Sequence, residues 1–257
     1  MAAPGARSDV GLGGFARWSG GELPAGLDRS GLSARFDPFL PHFASEAVAA
    51  GADVWFSTAE GRLSAMYLDD RVESTGSVFT YDRRIAERLV LERPGSTYAE
   101  HLLDVPHESF DLYSARLADP LPLRPFRHEV RRIEEGDRPA ALALLRESYP
   151  GSNVGYFSGP SDPAEIGFRV RLEEEVVGVA WGSVAGSVAR LHSLTVRPGA
   201  RRLGVATDLL HARILWARAA GLQEAFSEIS EENVPSRTIA ERAGLRPTGR
   251  IHLYRGR

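Results

Sequence analysis

The stretch Thr195-Val196-Arg197-Pro198-Gly199-Ala200-Arg201-Arg202-Leu203-Gly204-Val205-Ala206 decides the fold of the second half of this chain. Its β-branched start predicts the end of a strand, its Arg- and Gly-rich middle predicts a turn, and its apolar end predicts the start of a helix. The first backbone N–H groups of a helix lack partners within the helix, and the helix dipole favours an anion beside them. With the charges of Arg197, Arg201 and Arg202 added, the stretch predicts a site for the pyrophosphate of a cofactor.

The composition limits the class of protein. Of the 257 residues, 43% are hydrophobic and 25% are charged, and the formal net charge is -3. These values are typical of a globular protein and do not favour nucleic acid as a partner. No window reaches the roughly 18 apolar residues of a membrane span, so we expect a cytoplasmic protein that binds no membrane. The absence of cysteine excludes disulfides and thiolate zinc sites, and we predict no metal site.

We predict four segments along the chain. Residues 1–31 are rich in Gly, Ala and Ser without periodicity, which indicates a flexible leader. Residues 32–118 mix helix and strand patterns and predict a small α/β domain. Residues 119–126 carry three prolines and indicate a linker. Residues 127–257 then form a second domain.

The periodicity of apolar residues predicts the elements of both domains. In the first domain it predicts a helix over 41–50, strands over 53–57, 63–68 and 77–80, and a helix over 82–91. In the second domain the predicted order is β-α-β-β-β-α-β-α-β, with Asp137 as the N-cap of the first helix. The helix after the Arg-rich turn carries an apolar stripe that should pack on the sheet, formed by Val205, Leu209, Ala212, Trp216 and Ala219. The fold class is therefore α/β (α+β), with a mixed, mostly antiparallel sheet flanked by helices.

Residues from about 126 to 257 resemble the GNAT superfamily of acyl-CoA-dependent N-acyltransferases. The resemblance rests on the element order, on the (Gln/Arg)-x-x-Gly-x-(Gly/Ala) turn present as Arg201-Arg202-Leu203-Gly204-Val205-Ala206, and on the block from Asn233-Val234-Pro235-Ser236 to Ala243-Gly244-Leu245. It implies an acetyltransferase that moves an acetyl group from acetyl-CoA to a primary amine of a small molecule by direct attack on the thioester. We expect a monomer or a homodimer.

The resemblance also implies where coenzyme A binds. The backbone at the end of the fourth strand would pair with the pantetheine arm as an added strand, and the amides of the turn would hold the pyrophosphate. Gly204 is glycine because a Cβ would separate the backbone from the phosphate. Ser236 either helps Asn233 to hold the cofactor arm or caps the helix. The implied cofactor-binding residues are Leu194, Thr195, Val196, Arg201, Arg202, Leu203, Gly204, Val205, Ala206, Thr207, Asn233 and Ser236.

Two residues are candidates for the general base that deprotonates the amine. His192 lies two residues before Leu194 on a predicted strand, so it shares the face that should meet the cofactor. His-x-Leu-x-Val also resembles the arylalkylamine acetyltransferases, in which the base occupies the His192 position. Glu228 lies five residues before Asn233, where related acetyltransferases of ribosomal-protein N-termini keep a catalytic glutamate. The sequence leaves both candidates open, and each has a structural alternative, as a buried histidine or a solvated charge.

The general acid for the departing thiolate has no clear candidate. Many relatives place a tyrosine at the position of Ala240, so this chain departs from the family pattern there. Tyr254 on the final strand or a bound water could take that part, although a packed tyrosine explains Tyr254 as well. The oxyanion would accept a hydrogen bond from the backbone N–H of Leu194 or Thr195.

The first half repeats a strand, strand, strand, helix order and could be a degenerate copy of the second. The place of its phosphate turn holds Val78-Phe79-Thr80-Tyr81-Asp82-Arg83-Arg84, which has no glycine. We therefore predict no acyl-CoA there. Because of this and of Ala240, a non-catalytic acyl-CoA-binding module or sensor is the alternative to an enzyme.

Overall fold

The computed structural model describes residues 15–17, 53–59, 62–70, 75–80, 83–92, 95–99, 103–105, 107–148 and 165–256. These residues fall into two units. The first unit takes the described residues up to His107, together with those from His252 onward, and the second unit takes Glu108–Ile251.

The first unit has an antiparallel meander followed by a parallel crossover. Its elements are β1 (Phe15–Arg17), β2 (Asp53–Ala59), β3 (Arg62–Asp70), β4 (Thr75–Thr80), α1 (Arg83–Glu92) and β5 (Gly95–Ala99). Strands β2, β3 and β4 pair antiparallel, whereas β4 and β5 pair parallel across α1. The predicted strand, strand, strand, helix order is thus present. That this unit is a degenerate copy of the second stays a prediction.

Two strands of the first unit were not predicted. β1 lies inside the predicted leader and pairs antiparallel with β2, and β5 pairs with the end of the last strand of the chain. The helix predicted over 41–50 lies outside the described residues. Short strands such as β1 carry too few residues to show a period of two, so their pairing is settled by partners far along the chain.

The second unit contains the predicted order β-α-β-β-β-α-β-α-β. After β6 (His107–Arg116), its elements are β7 (Val130–Arg132), α2 (Arg138–Ser148), β8 (Glu165–Leu172), β9 (Glu175–Ala185), β10 (Val188–Val196), α3 (Val205–Ala219), β11 (Glu224–Ser230), α4 (Val234–Arg242) and β12 (Arg246–Gly256). Its strand order is β12-β6-β11-β10-β9-β8-β7. The described pairs are antiparallel except β10 with β11, so the predicted mixed, mostly antiparallel sheet is confirmed.

The division between the units does not coincide with the predicted domain boundary at 119–126. Strand β6 pairs with β11 along seven register positions, from Arg116 to Phe110, which places it in the second unit. The segment predicted as a linker lies in the same unit, where Leu121 and Leu123 pack against the core. Proline content stiffens a segment but does not keep it from packing. Which segments fold independently stays a prediction.

Helix α3 buries more of its surface than the apolar stripe predicted from the sequence. Four of the five stripe residues pack with the sheet in one core cluster, but Ala219 is exposed. A second buried row packs toward α4 and β6, formed by Leu210, Ile214 and Ala217. The helix therefore contacts the sheet and its neighbouring helix together, which holds the turn that precedes it in one position.

Asp137 anchors the entry of α2 to the sheet. It ends a short 3₁₀ turn that begins after Glu134, so it is not the N-cap of α2 as predicted. Its carboxylate accepts a hydrogen bond from the Glu134 amide and pairs with Arg169 and Arg171 of β8. Burial alone would raise the pKa of Asp137, but these hydrogen bonds outweigh burial and lower the pKa to about 2.

Replacing Asp137 with asparagine should lower the free energy of unfolding by about 2 kcal/mol at pH 7, because the two arginines lose their carboxylate. The folded-state pKa lies below the unfolded one, so this contribution is complete above about pH 4 and is lost as the pH falls toward about 2. Chemical denaturation of wild type and D137N over this pH range measures it. D119N, at an exposed site, is the matched control and should change stability little at any pH. A pH-independent difference for D137N would contradict the prediction.

Candidate active site

Strands β10 and β11 part at the centre of the second unit. Residues 188–190 of β10 pair in parallel register with residues 224–226 of β11, and no register pair is present beyond them. Beyond this point β10 has an irregular register with β9 between His192 and Thr195, and Ser193 adopts a positive φ of 52°. An extra residue of this kind is a β-bulge, which bends a strand away from its neighbour. Beyond Arg190 and Phe226 no further register pair among the described residues joins β10 to β11, so the two strands part there.

The Arg- and Gly-rich turn joins β10 to α3 as predicted. Gly204 occupies the N-cap of α3 with a φ of 98°, a conformation that residues with a Cβ rarely adopt. The side chains of Arg201, Arg202 and Leu203 are exposed around it. The turn thus presents the free N–H groups of the helix start, with two cations beside them.

Arg197 does not contribute its charge to this turn, in contrast to the prediction. Its Nε lies 2.9 Å from Oε1 of Glu175 and donates to the carbonyl of Val176, and its Nη1 lies 3.3 Å from Oε2 of Glu147. Arg197 therefore ties the end of β10 to neighbouring elements. Sequence spacing alone could not separate it from Arg201 and Arg202.

Two other arginines, which the sequence reasoning missed, lie beside Gly204. A Cβ on Gly204 would lie 3.1 Å from Nη2 of Arg124 and 3.2 Å from Cδ of Arg127. Arg124 also donates to the Gly204 carbonyl at 3.2 Å, whereas Arg127 is exposed. The close approach of these side chains is a second reason for glycine at this position, besides its positive φ.

A buried carboxylate holds these arginines at the turn. Asp208, in the first turn of α3, is 0% exposed. It accepts hydrogen bonds from the backbone amides of Arg127 and His128 and pairs with Arg124 at 2.8 Å and with the His128 ring at 2.8 Å. The segment predicted as a linker is thereby fastened to the start of α3.

His192 lies beside the bulge in a polar row that crosses three strands. Its Nε2 lies 2.7 Å from Oγ of Ser183 and 3.6 Å from Oε1 of Glu165, and its Nδ1 lies 3.0 Å from Oγ of Ser193. Glu165 is opposite Ser183 in the register of β8 and β9, and His192 is opposite Trp181 in that of β9 and β10. The side chains of His192 and Glu165 are 12% and 6% exposed. The sequence reasoning identified His192 but not Ser183 or Glu165.

Glu228, the other candidate base, is engaged by an arginine. Its Oε1 accepts a hydrogen bond from Nε of Arg190 at 2.7 Å, and the two side chains are 12% and 25% exposed. Arg190 is opposite Ser183 in the register of β9 and β10. The structure therefore brings both candidate bases to the region where β10 and β11 part, but in different environments.

The remaining predicted residues divide between packing and capping. Thr195 is buried and contacts the Ser148 hydroxyl, Val196 is in the core, and Leu194 packs against it. Oδ1 of Asn233 accepts a hydrogen bond from the Ser236 amide at 3.2 Å, so Asn233 rather than Ser236 is the N-cap of α4. Ala240 is buried at 2% exposure.

Tyr254 is placed in the core of the first unit. It is 0% exposed and packs with Ala86, Ala99 and Leu103. Its hydroxyl accepts a hydrogen bond from the Leu103 amide at 2.8 Å. Burial raises the pKa of Tyr254, and the hydrogen bond from Leu103 offsets only part of that rise. A phenol buried in this way packs the core of the first unit, which does not support Tyr254 as the acid.

The described residues contain no group of His, Asp or Glu side chains arranged to hold a metal ion. Among the helices that the structure describes, none combines the length and apolar character needed to cross a membrane. Localisation in the cytoplasm stays a prediction.

Residues 127–245 match the sequence model of the Acetyltransferase (GNAT) family. The predicted resemblance is thereby confirmed for residues 127–245, somewhat less than half of the chain. Acetyltransferases of this family use acetyl-CoA, which confirms the predicted cofactor at the level of the family.

Curated relatives and solved structures are similar to this chain as well. Aminoglycoside N(6')-acetyltransferase type 1 of Salmonella typhimurium is 29% identical over 119 residues, which are 46% of this chain and 80% of the relative. The protein of the same name from Klebsiella aerogenes is 28% identical over an alignment 143 residues long, which covers 49% of this chain and 94% of the relative. A GCN5-related N-acetyltransferase from Kribbella flavida has a TM-score of 0.60 at 15% identity, covering 88% of this chain and 96% of its own. One from Sphaerobacter thermophilus has a TM-score of 0.57 at 17% identity, covering 79% and 80%. At these identities the two solved structures show the fold.

Proposed function

We propose that this protein transfers an acetyl group from acetyl-CoA to a primary amine of a small molecule, with His192 as the general base. The observation that carries the proposal is the place of His192, which lies beside the β10 bulge where β10 and β11 part. An amine attacking a thioester held in that gap needs a proton acceptor nearby. Bound acetyl-CoA supplies the activated acyl group, and the residues of this chain supply position and proton transfer.

The residues of the second unit fit coenzyme A. Gly204 and the first amides of α3 form an anion site, and the exposed side chains of Arg127, Arg201 and Arg202 complement a pyrophosphate. The backbone from Leu194 to Val196 borders the gap and can pair with the amides of an extended arm. Asn233 caps α4 with Oδ1, which leaves its NH₂ group for the arm.

The surroundings of His192 support its role as a base. A neutral imidazole accepts at one nitrogen and donates at the other, so one of the two neighbouring hydroxyls donates to the ring. This hydroxyl can rotate and leave the nitrogen to the amine or to a bridging water. Glu165, 3.6 Å from Nε2, then stabilises the imidazolium that forms. Glu228 remains the second candidate, but its carboxylate already accepts a hydrogen bond from Arg190.

No side chain is assigned to protonate the thiolate. Ala240 has no acidic group, and Tyr254 is 0% exposed in the core of the first unit. Coenzyme A thiolate is a tolerable leaving group without assistance, so the proposal does not depend on an acid.

The acceptor that we propose to test first is an aminoglycoside. Two curated relatives carry the name aminoglycoside N(6')-acetyltransferase, and their similarity covers 46% and 49% of this chain. Release of coenzyme A should be measured over a panel of amines that includes aminoglycosides with and without a 6'-amino group. Turnover only on compounds with this group would support the acceptor class. Turnover on other amines would support the acetyltransferase activity but would reject aminoglycosides with a 6'-amino group as the acceptor class.

The alternative function is a non-catalytic acyl-CoA-binding module, which the absence of an acid at Ala240 favours. Calorimetric titration of acetyl-CoA, combined with the turnover assay, distinguishes a binding module from an enzyme. Binding of acetyl-CoA with no turnover on any amine would favour the module, and no binding would reject both functions.

Arg127→Ala should weaken binding of coenzyme A about tenfold, because one charge-assisted contact to a phosphate is lost. The loss should shrink at high salt, since exposed charges are screened. Isothermal titration of coenzyme A measures both effects. R131A is the matched control, because Arg131 is also exposed and pairs with Glu129. Equal affinities for R127A and R131A would remove Arg127 from the proposed site.

A further inference from the structure

Asp208 is a buried carboxylate in the first turn of α3, the helix that follows the proposed phosphate turn, and it is 0% exposed. Its Oδ2 accepts hydrogen bonds from the backbone amides of Arg127 and His128 at 3.1 and 3.0 Å and lies 2.8 Å from Nδ1 of the His128 ring. Its Oδ1 lies 2.8 Å from Nη1 of Arg124. A carboxylate can be buried at low cost only where hydrogen bonds and an opposite charge compensate it. All of these partners belong to residues 124–128.

The segment between β6 and β7, residues 117–128, follows α3 from its end to its start. At the end of the helix, Arg218 donates to the carbonyl of Leu117 at 2.8 Å, and two leucines of the segment pack against the core that α3 shares with the sheet. Further on, Nδ1 of His211 lies 3.3 Å from the Arg124 carbonyl. Burial lowers the pKa of His211, so its ring is neutral at pH 7 and donates Nδ1–H to that carbonyl. The carboxylate in the first turn of α3 is therefore the anchor of this segment that lies nearest the phosphate turn.

The two arginines of the segment that approach Gly204 differ in what their guanidinium groups bind. Arg124 pairs with Asp208 and donates to the carbonyls of Gly204 and Pro125 at 3.2 and 2.7 Å. Arg127 is exposed, and no described residue pairs with its guanidinium or accepts a hydrogen bond from it. Even so, a Cβ on Gly204 would lie 3.8 Å from Nη1 of Arg127. Arg124 thus compensates the charge of Asp208, whereas the charge of Arg127 lies beside the turn and is available to an anion.

Where the Arg127 side chain lies depends on its own backbone. A long exposed side chain explores many rotamers, and it loses this freedom when it binds a ligand. Fixing the backbone from which it extends reduces the space that the guanidinium explores. Because the amides of Arg127 and His128 donate to Asp208, this carboxylate fixes that backbone at the start of α3.

We propose that Asp208 is a positioning residue for coenzyme A, which holds the Arg127 backbone at the start of α3 so that the Arg127 guanidinium meets a phosphate of the cofactor. The inference rests on the proposed function. It extends the cofactor site to a segment that lies mostly before the part of the chain that matches the family model, which begins at residue 127. Asp208 itself touches no phosphate, since its carboxylate is buried and engaged.

The test is a double-mutant cycle on the affinity for coenzyme A, measured by titration calorimetry in wild type, Asp208→Asn, Arg127→Ala and the double variant. Asparagine keeps the size of the side chain, but its oxygen accepts weaker hydrogen bonds and its NH₂ group cannot pair with Arg124. Arg127→Ala should weaken binding about tenfold in the wild-type background. In the D208N background the same change should weaken binding less than about twofold, because Arg127 is no longer held beside the turn. A tenfold effect in both backgrounds would overturn the proposal.

Asp137→Asn is the matched control background. Asp137 is also a buried carboxylate, 3% exposed, which accepts a hydrogen bond from a backbone amide and pairs with two arginines. D137N should lose stability and still show the full tenfold effect of R127A. If the effect of R127A disappears in D137N as well, it reflects lower stability in general, and the proposal for Asp208 is wrong.

Hydrogen exchange on wild type tests the proposal even if D208N does not fold. A segment that strengthens binding of coenzyme A tenfold must itself be stabilised tenfold by coenzyme A, because coupling between two equilibria is reciprocal. Exchange of the Arg127 and His128 amides should therefore slow about tenfold at saturating coenzyme A. The Glu134 amide, which donates to Asp137, should exchange at an unchanged rate.

The outcomes separate this proposal from the proposed function. If coenzyme A binds to wild type and exchange at Arg127 and His128 does not change, Asp208 is not a positioning residue, while the coenzyme A site stands. If coenzyme A does not bind to wild type, the proposed function fails and this proposal fails with it.

Discussion

His192→Ala should lower kcat by about two to four orders of magnitude, the usual contribution of a positioned general base. KM for acetyl-CoA should change little, because the turn proposed to bind the phosphates precedes α3 and does not include His192. The variant also loses the contacts to Ser183 and Ser193, so melting temperature is measured beside steady-state kinetics. Imidazole added to the assay should restore part of the activity, since it replaces the missing proton acceptor.

Comparing His192→Ala with Glu228→Gln shows which of the two residues is the general base. Glutamine keeps the shape of the side chain but gives Arg190 a weaker, uncharged acceptor. We expect kcat to fall less than tenfold in E228Q, with E129Q as a control at an exposed carboxylate. A loss in E228Q that exceeds the loss in H192A would transfer the role of base to Glu228. Unchanged activity in both would remove both candidates.

Gly204→Asp should weaken binding of coenzyme A roughly a hundredfold or more, because it places a carboxylate where the proposed phosphate lies. The substitution also strains a residue with a φ of 98° and crowds Arg124 and Arg127. Gly204→Ala has the strain without the charge, so it should weaken binding less. Titration calorimetry of the two variants separates the two causes.

Gly186→Asp is the control for backbone strain. Gly186 also has a positive φ, of 57°, but a Cβ there would meet nothing within 4 Å, and it lies in the turn between β9 and β10. We expect G186D to lose stability and to keep its affinity for coenzyme A. A similar loss of affinity in G186D and G204D would mean that the turn before α3 does not bind the phosphates.

Local patterns in the sequence were sufficient for the order of elements from β7 to β12 in the second unit, but they did not reveal β6. Helix α3 has a period that repeats over 15 residues, and β10 ends where the β-branched run ends, at Val196. Gly204 lies between them because a left-handed residue is needed there. Such features depend on neighbours within a few residues, so they can be read without the tertiary structure.

Other parts of the site depend on pairs that are distant along the chain. Arg124 reaches the Gly204 carbonyl across 80 residues, and Tyr254 meets Leu103 across 151. Nothing near Arg124 distinguishes it from a charge in a linker, and nothing near Tyr254 distinguishes a packed tyrosine from an exposed acid. The position of Arg124 follows from its ion pair with the buried carboxylate of Asp208. The position of Tyr254 follows from its packing in the core of the first unit.

The sequence by itself determined the strand, the turn and the helix at the proposed phosphate site, and it placed His192 on that strand. Only the tertiary structure showed which arginines lie beside that turn: Arg197 pairs with Glu175, whereas Arg124 and Arg127 approach Gly204. It also showed that Asp208 pairs with Arg124 and His128. The physical reason is that backbone period and capping are local, whereas the direction of a charged side chain follows the nearest opposite charge or carbonyl once the chain has packed.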